Sequence, residues 1–169
     1  SWHLTEQLPF DPDLIHLHNL HGHFFDIAAL PTLTARAPAV WTLHDEWAFT
    51  GRCTWTLGCD RWRGRCGDCP QIGTYLRPPD GTSAGLAAKA DSYARAQAHI
   101  VAPSSWMLER AKDSVLGHLP MSLIPNGVDL DVFGGQDRTL ARAELGLPLD
   151  AKIVLFVAND APGTPWKGM

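Results

Sequence analysis

No stretch of this sequence approaches the ~18 consecutive apolar residues that would mark a membrane-spanning helix. Positive charge is scarce: 14 Lys and Arg stand against 18 Asp and Glu, a net charge of −4. A strongly basic nucleic-acid binder is not expected, nor is a nucleic-acid partner. The opening residues, Ser1-Trp2-His3-Leu4-Thr5-Glu6, offer neither a basic stretch nor an apolar core, so no signal peptide is expected. Internal repeats and low-complexity tracts are lacking, as are the P-loop and the dinucleotide glycine fingerprint. Cysteine is limited to 4 of 169 residues. The chain lacks a starting Met and stops at Trp166-Lys167-Gly168-Met169, just past an apolar run, so we expect both ends to be cut.

The residues present compose an ordinary globular chain, 45% hydrophobic and 19% charged. That excludes wholesale disorder and a coiled coil. Five short apolar runs have strand length: Leu14 to Leu17, Ala39 to Leu43, Ile100 to Ala102, Ser122 to Ile124, and Ile153 to Val157. Helical patterns separate them. Phe24 to Ala35 is one, with Pro31 predicting a kink or restart. Ala84 to Ala98 is Ala-rich. Ser104 or Ser105 caps a third that runs to about Leu116, with Leu108, Ala111 and Val115 on its inner face. Thr139 to Leu145 is a fourth, stopped by Gly146 and Pro148. Such alternation predicts an open parallel α/β sheet. Between the second strand and the next helix, residues 45–83 form a loop too long to be a bland connection. It must be functional, stapled or partly disordered.

Histidines gather at two strand ends. His16 and His18 are two apart and share a face if both lie on the strand. His16 reads as a satisfied core residue and His23 as a solvated one. His18, Asn19, His21 and Gly22 fall at the strand's carboxyl end, where open α/β sheets place ligands. The second strand stops abruptly in His44-Asp45-Glu46. A carboxylate beside such a His can orient it and keep it basic. Both strands deliver their histidines to the same rim.

All four cysteines, Cys53, Cys59, Cys66 and Cys69, lie in the long loop with C-x5-C-x6-C-x2-C spacing. Four thiolates satisfy a closed tetrahedral zinc site, so a structural zinc is expected. Two disulfides, with three possible pairings, or free thiols are the rivals, and the lack of a secretory signal disfavours disulfides. Arg52, Arg61, Arg63 and Arg65 decorate the same loop, to meet an anionic partner or to offset thiolate charge.

Asn126-Gly127-Val128-Asp129 is a turn whose flank does not alternate as a hairpin should. With Val128 and Phe133 as anchors, it reads as a crossing between two domains. Lys167 and Gly168 follow the last apolar run in a Gly/Pro loop. That is the place for a phosphate-facing Lys at a helix start.

Five segments together resemble family 4 glycosyltransferases of the GT-B fold, in particular bacterial polysaccharide-type enzymes with a cysteine-bearing loop. They are residues 13–22, residues 41–51, the Cys53–Pro70 loop, Val101-Ala-Pro-Ser-Ser-Trp106 and Ile124-Pro-Asn-Gly-Val-Asp129. The resemblance implies a Rossmann-like parallel sheet. Residues 1–133 would be the second half of the acceptor-side domain, and residues 134–169 the connection and the start of the nucleotide-sugar domain. It implies a retaining enzyme that moves a sugar from a nucleotide-sugar to a saccharide or lipid-linked acceptor in cell-surface polysaccharide synthesis, without a catalytic metal. His44 and Asp45 would face the transferred sugar. His18, Asn19, His21 and Gly22 would line the acceptor side, Asn126, Gly127 and Asp129 the interdomain crossing, and Lys167 with Gly168 the donor diphosphate. A cytoplasmic protein, in peripheral contact with the inner membrane surface, is the implied setting.

Three departures stand out: the Gly-rich loop that opens such domains is missing, the downstream Glu pair is missing, and Asn159 stands where relatives carry Arg. The 169 residues alone are therefore not expected to be a competent catalyst. Two other readings compete. One is a metal-dependent hydrolase using His16, His18, His44 and Asp45, disfavoured because such barrels need about 250 residues. The other is a non-catalytic module whose zinc loop docks a partner.

Overall fold

The computed structural model describes residues 9–22 and 24–157. The chain falls into two units that divide between Pro125 and Asn126.

In the first unit the strands are β1 (Ile15–Leu17), β2 (Ala39–Thr42), β3 (His99–Ala102) and β4 (Met121–Leu123). The helices are α1 (Leu30–Thr34), α2 (Thr82–Tyr93) and α3 (Ser105–Lys112). The strands form one sheet in the order β1-β2-β3-β4, and every neighbouring pair is parallel. Each crossover carries its own helix, except that the long loop precedes α2. Pro31 does restart the chain: a 3₁₀ turn, Ile27–Ala29, gives way to α1 with Pro in its first turn, where the missing N–H costs nothing. Ser104 caps α3 by accepting from the Met107 N–H.

Side chains alternate across the sheet. Ile15, Leu17, Trp41, Ile100, Ala102 and Met121 join one apolar cluster with Leu30 and Leu33 of α1, Tyr93 of α2, and Met107 and Ala111 of α3. The opposite face is mixed, with Val40 and Val101 among His16, Thr42, His99 and Ser122. His16 Nε2 lies 2.9 Å from Thr42 Oγ1, and His99 Nε2 lies 2.8 Å from Ser122 Oγ. His16 is therefore exposed on β1, the edge strand, and not a core residue as expected.

The long loop is ordered by its own side chains. Phe49 and Trp62 are buried with ring centroids 5.2 Å apart. Two 3₁₀ turns, Trp47–Phe49 and Arg61–Arg63, carry them inward. The loop touches α2 backbone to backbone. A Cβ on Gly51 would meet the Thr82 carbonyl oxygen at 2.1 Å, and one on Gly85 would meet the Gly51 oxygen at 2.4 Å.

The second unit holds α4 (Leu130–Phe133) and α5 (Arg138–Glu144). Asp129 and Asp137 cap them. None of its described residues is buried. Val128 and Phe133, expected as anchors, are 60% and 74% exposed. The strand expected over Ile153 to Val157 does not form, because this unit offers no described strand to share its backbone hydrogen bonds.

Candidate functional site

The carboxyl ends of β1 and β2 meet at one rim, as parallel neighbours must. Each strand contributes a His just past its last paired residue. The Trp41 indole N–H donates to the His18 carbonyl at 2.7 Å and fixes that backbone. The Leu43 N–H donates to the Val101 carbonyl at 2.9 Å, which extends β2 up to His44.

Two side-chain pairs result. His18 Nδ1 lies 2.8 Å from His44 Nε2, with the rings stacked at 5.1 Å. One of these nitrogens carries the shared proton. The His16 ring lies 4.2 Å from His18, as their common face requires. His21 Nε2 donates to Asp45 Oδ2 at 2.9 Å, and the Trp47 N–H donates to Asp45 Oδ1 at 2.9 Å. Both Asp45 oxygens are thus engaged. A cavity of about 10 Å³ lies among His18, Asn19, His21, His44 and Asp45. Beside it, sharing His21 and Trp47, opens a wider one of about 410 Å³ lined by Gly22, Phe25, Ile27 and Arg52.

Beneath this rim sits Lys89 of α2. Its Nζ donates to the Trp47 and Thr50 carbonyls at 2.5 and 2.8 Å and stands 3.5 Å from the Trp47 ring centroid. Burial pulls its pKa down to about 7, against the opposing pull of Cys53, Asp45 and Cys66.

Sequence reasoning missed a third cluster. Glu46, read there as a rim acid, is 2% exposed. Its Oε2 accepts from the Thr56 N–H at 2.7 Å, and its Oε1 from Arg110 Nε at 2.6 Å. Arg110 lies over the rings of Trp62 and Trp106, at 4.6 and 4.9 Å. The only signal was the pairing of a lone interior-facing Arg on α3 with an acid 64 residues earlier, which one sequence cannot reveal.

Cys53, Cys59, Cys66 and Cys69 are free thiols lining one cavity of about 20 Å³. Burial pushes the Cys53 thiol up to about 11 and raises Cys66 as well. Among the described residues, no three His, Cys, Asp or Glu side chains are gathered so as to hold a metal ion, so the zinc expectation gains no support from the geometry. Three of the loop arginines have partners within the protein. Arg61 donates to the Gly67 and Asp68 carbonyls, Arg52 to those of Arg77 and Pro79, and Arg63 pairs with Asp60 and Asp113.

Asn126 and Gly127 are exposed in the second unit, and Asp129 caps α4. Lys167, Gly168, Asn159 and His23 lie outside the described residues.

A family model described as Glycosyltransferase Family 4 matches residues 1–132. The chain belongs to this family. WcaC of Escherichia coli (strain K12), a glycosyl transferase named for colanic acid biosynthesis, is 30% identical over 132 residues, covering 70% of this chain and 32% of WcaC. A D-inositol 3-phosphate glycosyltransferase of Mycobacterium avium (strain 104) is 55% identical over 42 residues, covering 25% of this chain and 10% of that enzyme. The chain thus spans about a third of the length of WcaC. No solved structure matches. Among the described residues, no helix is long and apolar enough to cross a membrane.

Proposed function

We propose that the chain carries the acceptor side of a GT-B glycosyltransferase, one that moves a sugar from a nucleotide-sugar to a saccharide or lipid-linked acceptor, with retained configuration, in cell-surface polysaccharide synthesis. Family 4 membership supports the reaction class. The observation that carries the site is the convergence of His18–His44 and His21–Asp45 on the carboxyl ends of two parallel strands. That is where open α/β sheets bind ligands.

Each residue then has a task. The His18–His44 pair holds one proton between Nδ1 and Nε2, so His44 presents a ring of set orientation to the transferred sugar. Asp45 has no oxygen without a donor; it orients His21, whose remaining nitrogen faces an acceptor hydroxyl. The wider cavity beside His21 and Gly22 takes the acceptor, between the apolar walls of Phe25 and Trp47. Asn19 lines the small cavity alongside. Residues 1–133 belong to the acceptor-side domain, Asn126, Gly127 and Asp129 to the crossing, and Lys167 with Gly168 to the donor diphosphate, whose developing charge a cation stabilises. Closure of the two domains keeps water from competing with the acceptor. The setting is the cytoplasmic side of the membrane, in peripheral contact with it. The test is the full-length protein offered common nucleotide-sugars. Transfer to a saccharide or lipid-linked acceptor, with the product's anomeric configuration read by NMR, is expected; no donor consumption with any of them would overturn the reading.

We also propose a structural zinc for the thiol cavity. Its support is the sequence pattern: all four cysteines of the chain fall in one loop, and all four border one small cavity, though they are not gathered to ligating geometry. The four side chains would have to draw together to close on an ion. Purified chain is expected to carry one zinc, lost in Cys66→Ser; metal-free protein with four reactive or disulfide-bonded cysteines would contradict this.

A further inference from the structure

We propose that Arg110 is a positioning residue for the active site, acting through Glu46 on the Asp45–His21 pair. The inference rests on the site assignment above, and it concerns a side chain on α3 that touches none of the rim residues.

The linkage runs through contiguous bonds. Arg110 Nε and Nη2 reach Glu46 Oε1 at 2.6 and 2.5 Å, and Nη2 donates to Thr56 Oγ1 at 2.8 Å. Thr56 returns its N–H to Glu46 Oε2 at 2.7 Å. The Glu46 N–H donates to the Thr54 carbonyl at 2.9 Å. Glu46 is therefore held by both its backbone and its carboxylate, and Asp45 is the residue before it. On the other side of Asp45, the strand is fixed by the Leu43–Val101 bond. Asp45 has little freedom left, and its Oδ2 meets His21.

A buried ion pair is a poor way to gain stability, because desolvating two charges offsets most of their attraction. Replacing such a pair by apolar side chains of similar volume is often neutral for stability. What the pair offers is direction: a planar guanidinium, set over Trp62 and Trp106, bonds a carboxylate in few geometries. The demand for one geometry, next to the His-Asp rim, is what this arrangement answers.

The readout is the His21 tautomer in this chain, by long-range proton–nitrogen NMR, with no turnover required. Failure of sugar transfer would thus leave the result standing, and the reverse holds too. Wild type is expected to show a proton fixed on Nε2. Arg110→Met is expected to replace that pattern by the averaged signal of two tautomers, and Arg110→Lys to restore most of it. His99, bonded to Ser122 on the mixed face of the sheet, is the internal control. If Arg110→Met does not fold, Trp106→Ala decides, since that ring is 49% exposed and lies against the guanidinium. A smaller loss in the same direction is expected. An unchanged His21 signal in either folded variant, or an equal change at His99, would overturn the proposal.

Discussion

Trp62 is one of the buried side chains that anchor the long loop. It is 1% exposed, packs on Phe49, and offers its face to Arg110. Trp62→Ala should cost about 3–5 kcal/mol, as large-to-small changes of buried aromatics do. Urea unfolding of the first unit measures it, and a loss below about 1 kcal/mol would show that the ring is not the loop's anchor. The histidines of the rim were legible in sequence because a strand's period of two and the carboxyl-end rule place them without any contact information. Glu46 was not. It sits beside His44 and Asp45 in a run that reads as polar and solvated, and only its distant partner Arg110 explains its burial. His16 failed for the reverse reason: a residue inside an apolar run is buried only if both sheet faces are covered, and His16 lies exposed on an edge strand, bonded to Thr42.

At the scale of elements, apolar runs bounded by helical patterns identified four of the strands, to within two residues at each end. α2 begins two residues earlier than its Ala-rich pattern suggested and stops at Tyr93, five residues short of Ala98. Asp80 explains the early start. Its Oδ1 accepts from the Thr82 hydroxyl and N–H, and its Oδ2 from the Cys69 N–H, so one carboxylate ties the loop to the helix. Those bonds, the Thr82 hydroxyl first, hold its pKa down to about 2 from 3.8. A depressed carboxyl stabilises the folded chain above its unfolded value and loses that contribution as pH falls through the folded one. The stability gap between wild type and Asp80→Asn should therefore be constant above about pH 5 and shrink towards pH 2, as followed by urea unfolding. A gap independent of pH would contradict the carboxylate's role.

Across the whole molecule, burial is uneven. The first unit owns the apolar cluster, while the second keeps Leu130, Val132, Phe133, Leu140 and Val154 exposed. Segments with few buried contacts open at low cost. Trypsin should cut after Arg138 and Lys152 before it cuts after Arg95 or Arg110; early cleavage within the first unit would show that its cluster does not hold. The Ile153 to Val157 run shows where sequence reading stops. Its β-prone residues promise a strand, but a strand exists only with a neighbour, and composition says nothing of whether one is near. Sugar transfer is proposed to take place at the rim where β1 and β2 end. It is tested most directly by His44→Ala in the full-length enzyme, with nucleoside diphosphate release and urea stability measured on the same preparation. Turnover reduced by about 10²- to 10⁴-fold, with stability kept, is the predicted result; unchanged turnover would remove His44, and the rim with it, from the chemistry.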